Sequence, residues 1–167
     1  MRQRTAYIIL LLTAFLACAC TPEEDTSKIV WLCYHENGSA EYPLVHYDLT
    51  MQKDSTFTLT NTAGRAPEEA LQAAVPAEVA DSLASIVEIH DMLRYRDYYQ
   101  PLVEVKDGIS WHLSIHFDDE TAFSSAGYAA RPTGEGLQRL HEYLDSVWVQ
   151  VEGNAKIVER PAKKKKK

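Results

Sequence analysis

Cysteine is scarce in this chain. There are three among 167 residues, and two of them, Cys18 and Cys20, stand within the first twenty. Only Cys33 lies in the body, and one thiol cannot close an internal disulfide, so the fold must be held by its core. Basic residues are also few. Seventeen Lys and Arg oppose 24 Asp and Glu; Arg2 and Arg4 belong to the first segment and Lys163 to Lys167 close the chain, which leaves ten basic residues against all 24 acids in between. So acidic a body is a poor partner for nucleic acid, whose phosphates need clustered Lys and Arg. No helix-turn-helix or zinc-finger spacing is present, and no glycine-rich loop of the kind that cradles phosphate. The one long apolar run, Tyr7 to Leu16, falls short of the roughly 20 residues that cross a bilayer.

What the first twenty residues do contain is a secretory pattern: basic Arg2 and Arg4, the apolar run, then Ala17 and Ala19 beside the cysteines. Around those cysteines the chain resembles bacterial lipoprotein precursors, in which an apolar residue and two small ones precede the cysteine that is cut and lipidated. Two registers fit, Phe15-Leu16-Ala17 before Cys18 and Ala17-Cys18-Ala19 before Cys20. The resemblance implies lipidation at Cys20, with Cys18 as the alternative, because the polar segment starts directly after Cys20. The acidic run Thr21-Pro22-Glu23-Glu24-Asp25 is similar to the surface address of Bacteroidota lipoproteins. Two acyl chains, at about 0.8 kcal/mol per buried CH2, suffice for stable anchoring. The expected organisation is a signal peptide over 1–19, an acidic tether over 20–27, one domain over 28–151 and a flexible Lys-rich tail over 152–167. The expected location is the outer membrane at the cell surface, a periplasm-facing domain being the alternative.

Within the body, Lys28 to His35 is rich in β-formers. Val45, Tyr47, Leu49 and Met51 alternate with His46, Asp48 and Thr50, and Phe57 and Leu59 alternate with Thr56, Thr58 and Thr60. Alternation of this kind marks strands with one buried and one wet face. Pro67-Glu68-Glu69 predicts a short helix start. Pro76 opens a stronger helix to about Asp91, with Val79, Leu83, Ile86 and Val87 on one face. Ile109 to Phe117 and Thr121 to Ser125 predict a hairpin, and Glu135 to Val149 a closing helix with Leu137, Leu140 and Leu144 inward. The order predicts an α+β domain: an antiparallel sheet of about five strands with two main helices packed on one face.

From Tyr98 to Leu144 the chain resembles a loose group of bacterial domains, many of them lipoproteins, with a DG-x-x-W strand, an acidic hairpin, a Ser-x-Gly turn, a proline and a closing helix. Asp107, Gly108, Trp111, Gly127, Pro132 and Leu137 carry the likeness. The group has no assigned activity, so the resemblance implies a fold unit alone. The same residues have structural readings: positive φ for Gly108 and Gly127, a core anchor in Trp111, and a late helix start after Pro132.

No catalytic constellation emerges from the pattern. His112 and His116 lie about 13 Å apart along a strand, too far for one ion, and are expected on the solvent side. Cys33 and His35 share a strand face about 6.6 Å apart at the backbone, beyond nucleophile–base contact. Asp118, Asp119 and Glu120 suit a solvated hairpin tip. No metal site and no cofactor are expected. Exposed Tyr with Arg is the composition of binding surfaces, which makes Tyr95, Tyr98, Tyr99, Arg96, Tyr128 and Arg131 the candidate surface, with a glycan or a protein as its ligand. The leading functional expectation is a non-enzymatic lipid-anchored envelope protein. A small envelope hydrolase and a structural partner of an outer-membrane assembly are the alternatives.

Overall fold

The structure, a computed structural model, describes residues 27–38, 44–64 and 69–159; Cys18, Cys20, the acidic run and the lysine tail lie outside these. The strands are β1 (Ile29–Asn37), β2 (Val45–Met51), β3 (Phe57–Asn61), β4 (Glu69–Val75), β5 (Tyr98–Tyr99), β6 (Ser110–Phe117), β7 (Ala122–Tyr128) and β8 (Lys156–Glu159). The helices are α1 (Glu78–Ile89) and α2 (Gly136–Val151). All eight strands join one sheet in the order β5-β7-β6-β1-β2-β3-β4-β8. Every pair is antiparallel except β5 with β7. The α+β class therefore holds, while the sheet has three more strands than expected and one parallel pair.

The extra strands explain themselves physically. Glu69–Val75, where a short helix start was expected, is β4. Its Ala, Leu and Gln residues favour helix in isolation. Beside the open edge of β3, however, Leu71, Ala73 and Val75 pair with Asn61, Leu59 and Phe57, and the period-two set goes to the core face. The segment after Val151, expected to be loose, makes a 3₁₀ turn over Glu152–Asn154 and then β8, which covers the outer edge of β4. β5 is two residues long and lies in the aromatic stretch 94–101 that links the first helix to the next hairpin, where no alternation marks a strand.

One face of the sheet carries Leu32, Tyr34, Tyr47, Leu49, Leu59, Trp111, Leu113 and Ile115, all buried. Both helices pack there. α1 contributes Val79, Leu83 and Val87, and α2 contributes Leu137, Leu140, Leu144, Val147 and Trp148. α1 starts with Glu78 and Asp81 near its N-terminus, where the helix dipole favours acids, and ends at His90 before Asp91 takes a left-handed φ of 53°. No described helix is long and apolar enough to cross a membrane.

Trp111 is the anchor its sequence position suggests: it is 2% exposed and donates its indole N–H to the Ala130 carbonyl at 2.7 Å. The glycines flanking it act differently from expectation. The left-handed residue of the turn is Asp107, with φ 58°, and not Gly108. Gly108 and Gly127 are small because they are crowded. A Cβ on Gly108 would meet the Ala129 Cβ at 2.6 Å, and one on Gly127 would collide with the Trp111 indole nitrogen and the Ala130 carbonyl oxygen.

Candidate functional site

The opposite face of the sheet collects the alternate residues of the same strands. β1 sends Trp31, Cys33 and His35 outward, β2 sends His46, Asp48 and Thr50, and β6 sends His112, Ser114 and His116. Register aligns them in rows. Cys33 stands between Asp48 on β2 and Ser114 on β6, and His35 stands between His46 and His112. Three imidazoles from three strands thus lie side by side. The His35 and His46 rings are 5.5 Å apart, and His35 stacks on His112 at 5.1 Å with 26° between planes.

Beside this row, the Cys33 Sγ lies 3.9 Å from His35 Nδ1, and His46 Nε2 lies 3.2 Å from Asp48 Oδ2. One donor atom each from Cys33, His46 and Asp48 falls within 4.8 Å of the others. Cys33 is 8% exposed, and the His46 and Asp48 side chains are about one-fifth exposed, at 20% and 18%. His112 is held from the other side, its Nε2 3.1 Å from Ser124 Oγ and 3.3 Å from Ser114 Oγ, while its Nδ1 is buried with no hydrogen-bond partner. Burial holds the His112 pKa below its ordinary value. Compared with known proteins, the chain matches no family model and no curated sequence. Whatever this face does must therefore be judged from its chemistry.

The tyrosine and arginine residues expected to form a surface are placed in three separate settings. Tyr99 is core, 9% exposed, packed on Trp111 at 5.8 Å with the Arg96 guanidinium 4.5 Å above its ring. Its hydroxyl accepts the Arg96 backbone N–H. Tyr95 is half-buried, edge-on to Tyr99 at 6.4 Å, and burial together with Tyr99 raises its pKa. Tyr98 is 53% exposed on the two-residue edge strand. Tyr128 is a strut: its hydroxyl accepts the Gly108 N–H and donates to the Val105 carbonyl, both at 3.0 Å. Arg131 pairs with Glu36 at 2.7 Å. Glu36 is 7% exposed and also accepts the Tyr34 hydroxyl. Tyr95, Tyr98, Tyr99 and Arg96 are neighbours; Tyr128 and Arg131 serve the fold elsewhere.

His112 and His116 divide as spacing implied. His112 joins the imidazole row, and His116 sits edge-on to Trp31 at 4.8 Å. Cys33 and His35 approach more closely than their backbone spacing suggests, because their side chains lean towards one another. One signal pointed to the wider cluster: Cys33-Tyr34-His35 and His46-Tyr47-Asp48 are mirror triplets across the β1–β2 connection. Antiparallel pairing sets Tyr34 against Tyr47 on the core face and the four polar residues in a two-by-two block outside.

A groove of about 640 Å³ lies between the start of β1 and α1, lined by Lys28, Ile29, Ala84, Val87 and Phe117 with Asp81, Glu88 and Asp91 among its acidic residues. Its acids are dispersed and bring together no reactive constellation.

Proposed function

We propose that this is a lipid-anchored protein of the bacterial cell envelope, acting by binding and not by catalysis, which presents the helix-free face of its sheet to a ligand. The observation that carries the reading is the division of that sheet. Both helices pack on the apolar face, and the other keeps a block of buried Cys and Ser and partly exposed His and Asp side chains that the helix-covered core does not include. The anchor rests on the lipoprotein-like start and its acidic tether. Cys20 would carry the lipid, with the bilayer as one partner and an external glycan or protein as the other. Protease shaving of intact cells, with mass spectrometry of the released peptides and of the N-terminus, tests this. Release of peptides spanning Trp111, with a diacylglyceryl group on Cys20, is the expected result. Release only after lysis would turn the domain towards the periplasm, and an unlipidated N-terminus would overturn the anchor.

A further inference from the structure

We propose that Cys33, His46 and Asp48 form a binding site for a borderline divalent metal ion, with Zn2+ as its reference occupant and His35 as the nearest fourth donor. This names a ligand for the face proposed above as the binding surface, and it rests on that reading.

The donors have the right kinds and the right spread. A thiolate, an imidazole and a carboxylate are the three side-chain ligands that Zn2+ accepts, at about 2.0–2.3 Å from the ion. In a tetrahedron such bonds put donor atoms roughly 3.3–3.8 Å apart. His46 Nε2 and Asp48 Oδ2 are already at 3.2 Å, and the three donors span no more than 4.8 Å. Closing the widest gap takes about 1 Å, within reach of small side-chain rotations. His35 Nδ1 is 3.9 Å from the Cys33 sulfur; it lies outside the three-donor group and would complete an N2OS set only by a larger swing of its ring.

The sheet gives the block its rigidity. Cys33 pairs directly with Asp48 and His35 with His46, so the four residues sit at the corners of a cross-strand square on two adjacent, hydrogen-bonded strands. His112 stacks against the far side of His35, anchored through Ser114 and Ser124. That backing restricts the ring of a metal-ligating imidazole, as outer contacts commonly do. Charge also fits. Beside the Asp48 carboxylate the Cys33 thiol is favoured in its protonated form, and a dication that displaces the proton neutralises both the thiolate and the carboxylate. On binding, the metal–sulfur bond replaces the S–H bond, and the thiol proton passes to solvent.

The test is a titration of the untagged full-length lipoprotein in detergent micelles, reduced and stripped with a chelator. Zn2+ is followed by calorimetry, and Co2+ by absorbance as a spectroscopic probe. The expected result is one equivalent bound, release of a proton, a thiolate-to-cobalt charge-transfer band and the d–d intensity of a tetrahedral ion. Cys33→Ser should abolish the charge-transfer band, and Cys33→Ser, Asp48→Asn and His46→Gln should each weaken Zn2+ by more than the roughly ten- to hundredfold that loss of an outer-shell partner costs. His116→Gln, on the same face beside Trp31, should change neither. Circular dichroism of each variant separates lost ligation from lost folding, and Asp48→Asn, at a partly exposed position, serves if Cys33→Ser misfolds. Absence of saturable binding by the wild type, or binding by folded Cys33→Ser and Asp48→Asn equal to wild type, overturns the site. Shaving and titration fail independently. Zn2+ binding by a protein shown to face the periplasm keeps the site and removes the surface display, and surface display without Zn2+ binding does the reverse.

Discussion

Replacing Arg131 by methionine isolates the energetics of the Glu36 pair. The Glu36 carboxylate is 9% exposed and lies 2.7 Å from the guanidinium, whose side chain is 44% exposed. Removing one partner of a fully buried pair costs about 3–5 kcal/mol, because the remaining charge is left without compensation. Two features reduce that here. Water already screens part of the Arg131 charge, and the Tyr34 hydroxyl continues to donate to Glu36. The expected loss is therefore about 2 kcal/mol, below the range for a fully buried pair. With a urea dependence of about 2 kcal/mol per molar, the unfolding midpoint should fall by roughly 1 M. The double variant Glu36→Gln/Arg131→Met removes the stranded charge and leaves the side-chain amide oxygen for Tyr34. Relative to Glu36→Gln alone, the Arg131 change should cost less than about 0.5 kcal/mol, the range of ordinary surface substitutions. Equal costs in both backgrounds would refute the charge-pair account and leave Arg131 as packing alone. A cost below about 0.5 kcal/mol in the wild-type background would show that Glu36 is not held by Arg131 at all.

Three further outcomes follow from the described contacts. Gly127→Ala drives a methyl into the Trp111 indole and the Ala130 carbonyl and should cost about 2–3 kcal/mol in denaturant unfolding, with altered Trp fluorescence. Burial first, and then the adjacent carboxylates of Glu36 and Asp145, raise the pKa of Tyr34 and Tyr47. Unfolded tyrosines ionise near pH 10 while these keep their protons, so stability present below about pH 10 should be lost as pH rises, by up to about 1.4 kcal/mol per unit for each ring. Tyr47→Phe should remove one ring's share of that slope in urea titrations between about pH 8 and 11. His112 has the opposite sense. Its folded pKa is depressed, so the unfolded chain binds the proton first, and stability present above about pH 6.5 should decline as pH falls below it; His112→Asn should flatten that acid slope.

Legibility in the sequence followed the strength of each element's own pattern. β2, β3 and β6 alternate apolar residues on the core face with polar residues on the other, so the pattern in Val45–Met51, Phe57–Asn61 and Ser110–Phe117 marked them, although Thr60 and Ser114 on the polar face are themselves buried. The helices were equally plain from the spacing of Val79, Leu83 and Val87 and of Leu137, Leu140 and Leu144. β4 stayed hidden because its strand character comes from the β3 edge and not from Ala70 to Ala74 themselves. β5 and β8 are short edge pairings whose residues carry no period. Tyr99 and Arg131 looked like surface because a tyrosine's burial and an arginine's partner depend on chain far away, here Trp111 and Glu36. The outer-face cluster failed for a related reason. Spacing along one strand separates Cys33 from His35 and says nothing of His46 or Asp48, whereas lateral pairing puts all four together.

The irregularity at the start of β1 has consequences for where this chain tolerates changes in length. Ile29 pairs with Phe117 and Trp31 with His116, so β1 advances two residues for one on β6. Ile29 is thereby buried like Leu32, although strict alternation would turn it outward with Trp31. Deleting Val30 would simply restore alternation and leave Cys33 and His35 opposite their partners. Deleting any one residue between Leu32 and His35 would invert the phase of everything on one side of the cut, sending an imidazole or thiol into the core and a leucine or tyrosine out of it. The N-terminal approach to the sheet can therefore lengthen or shorten by a residue at this point, while the polar block beyond it is bound to the reading phase of the strand.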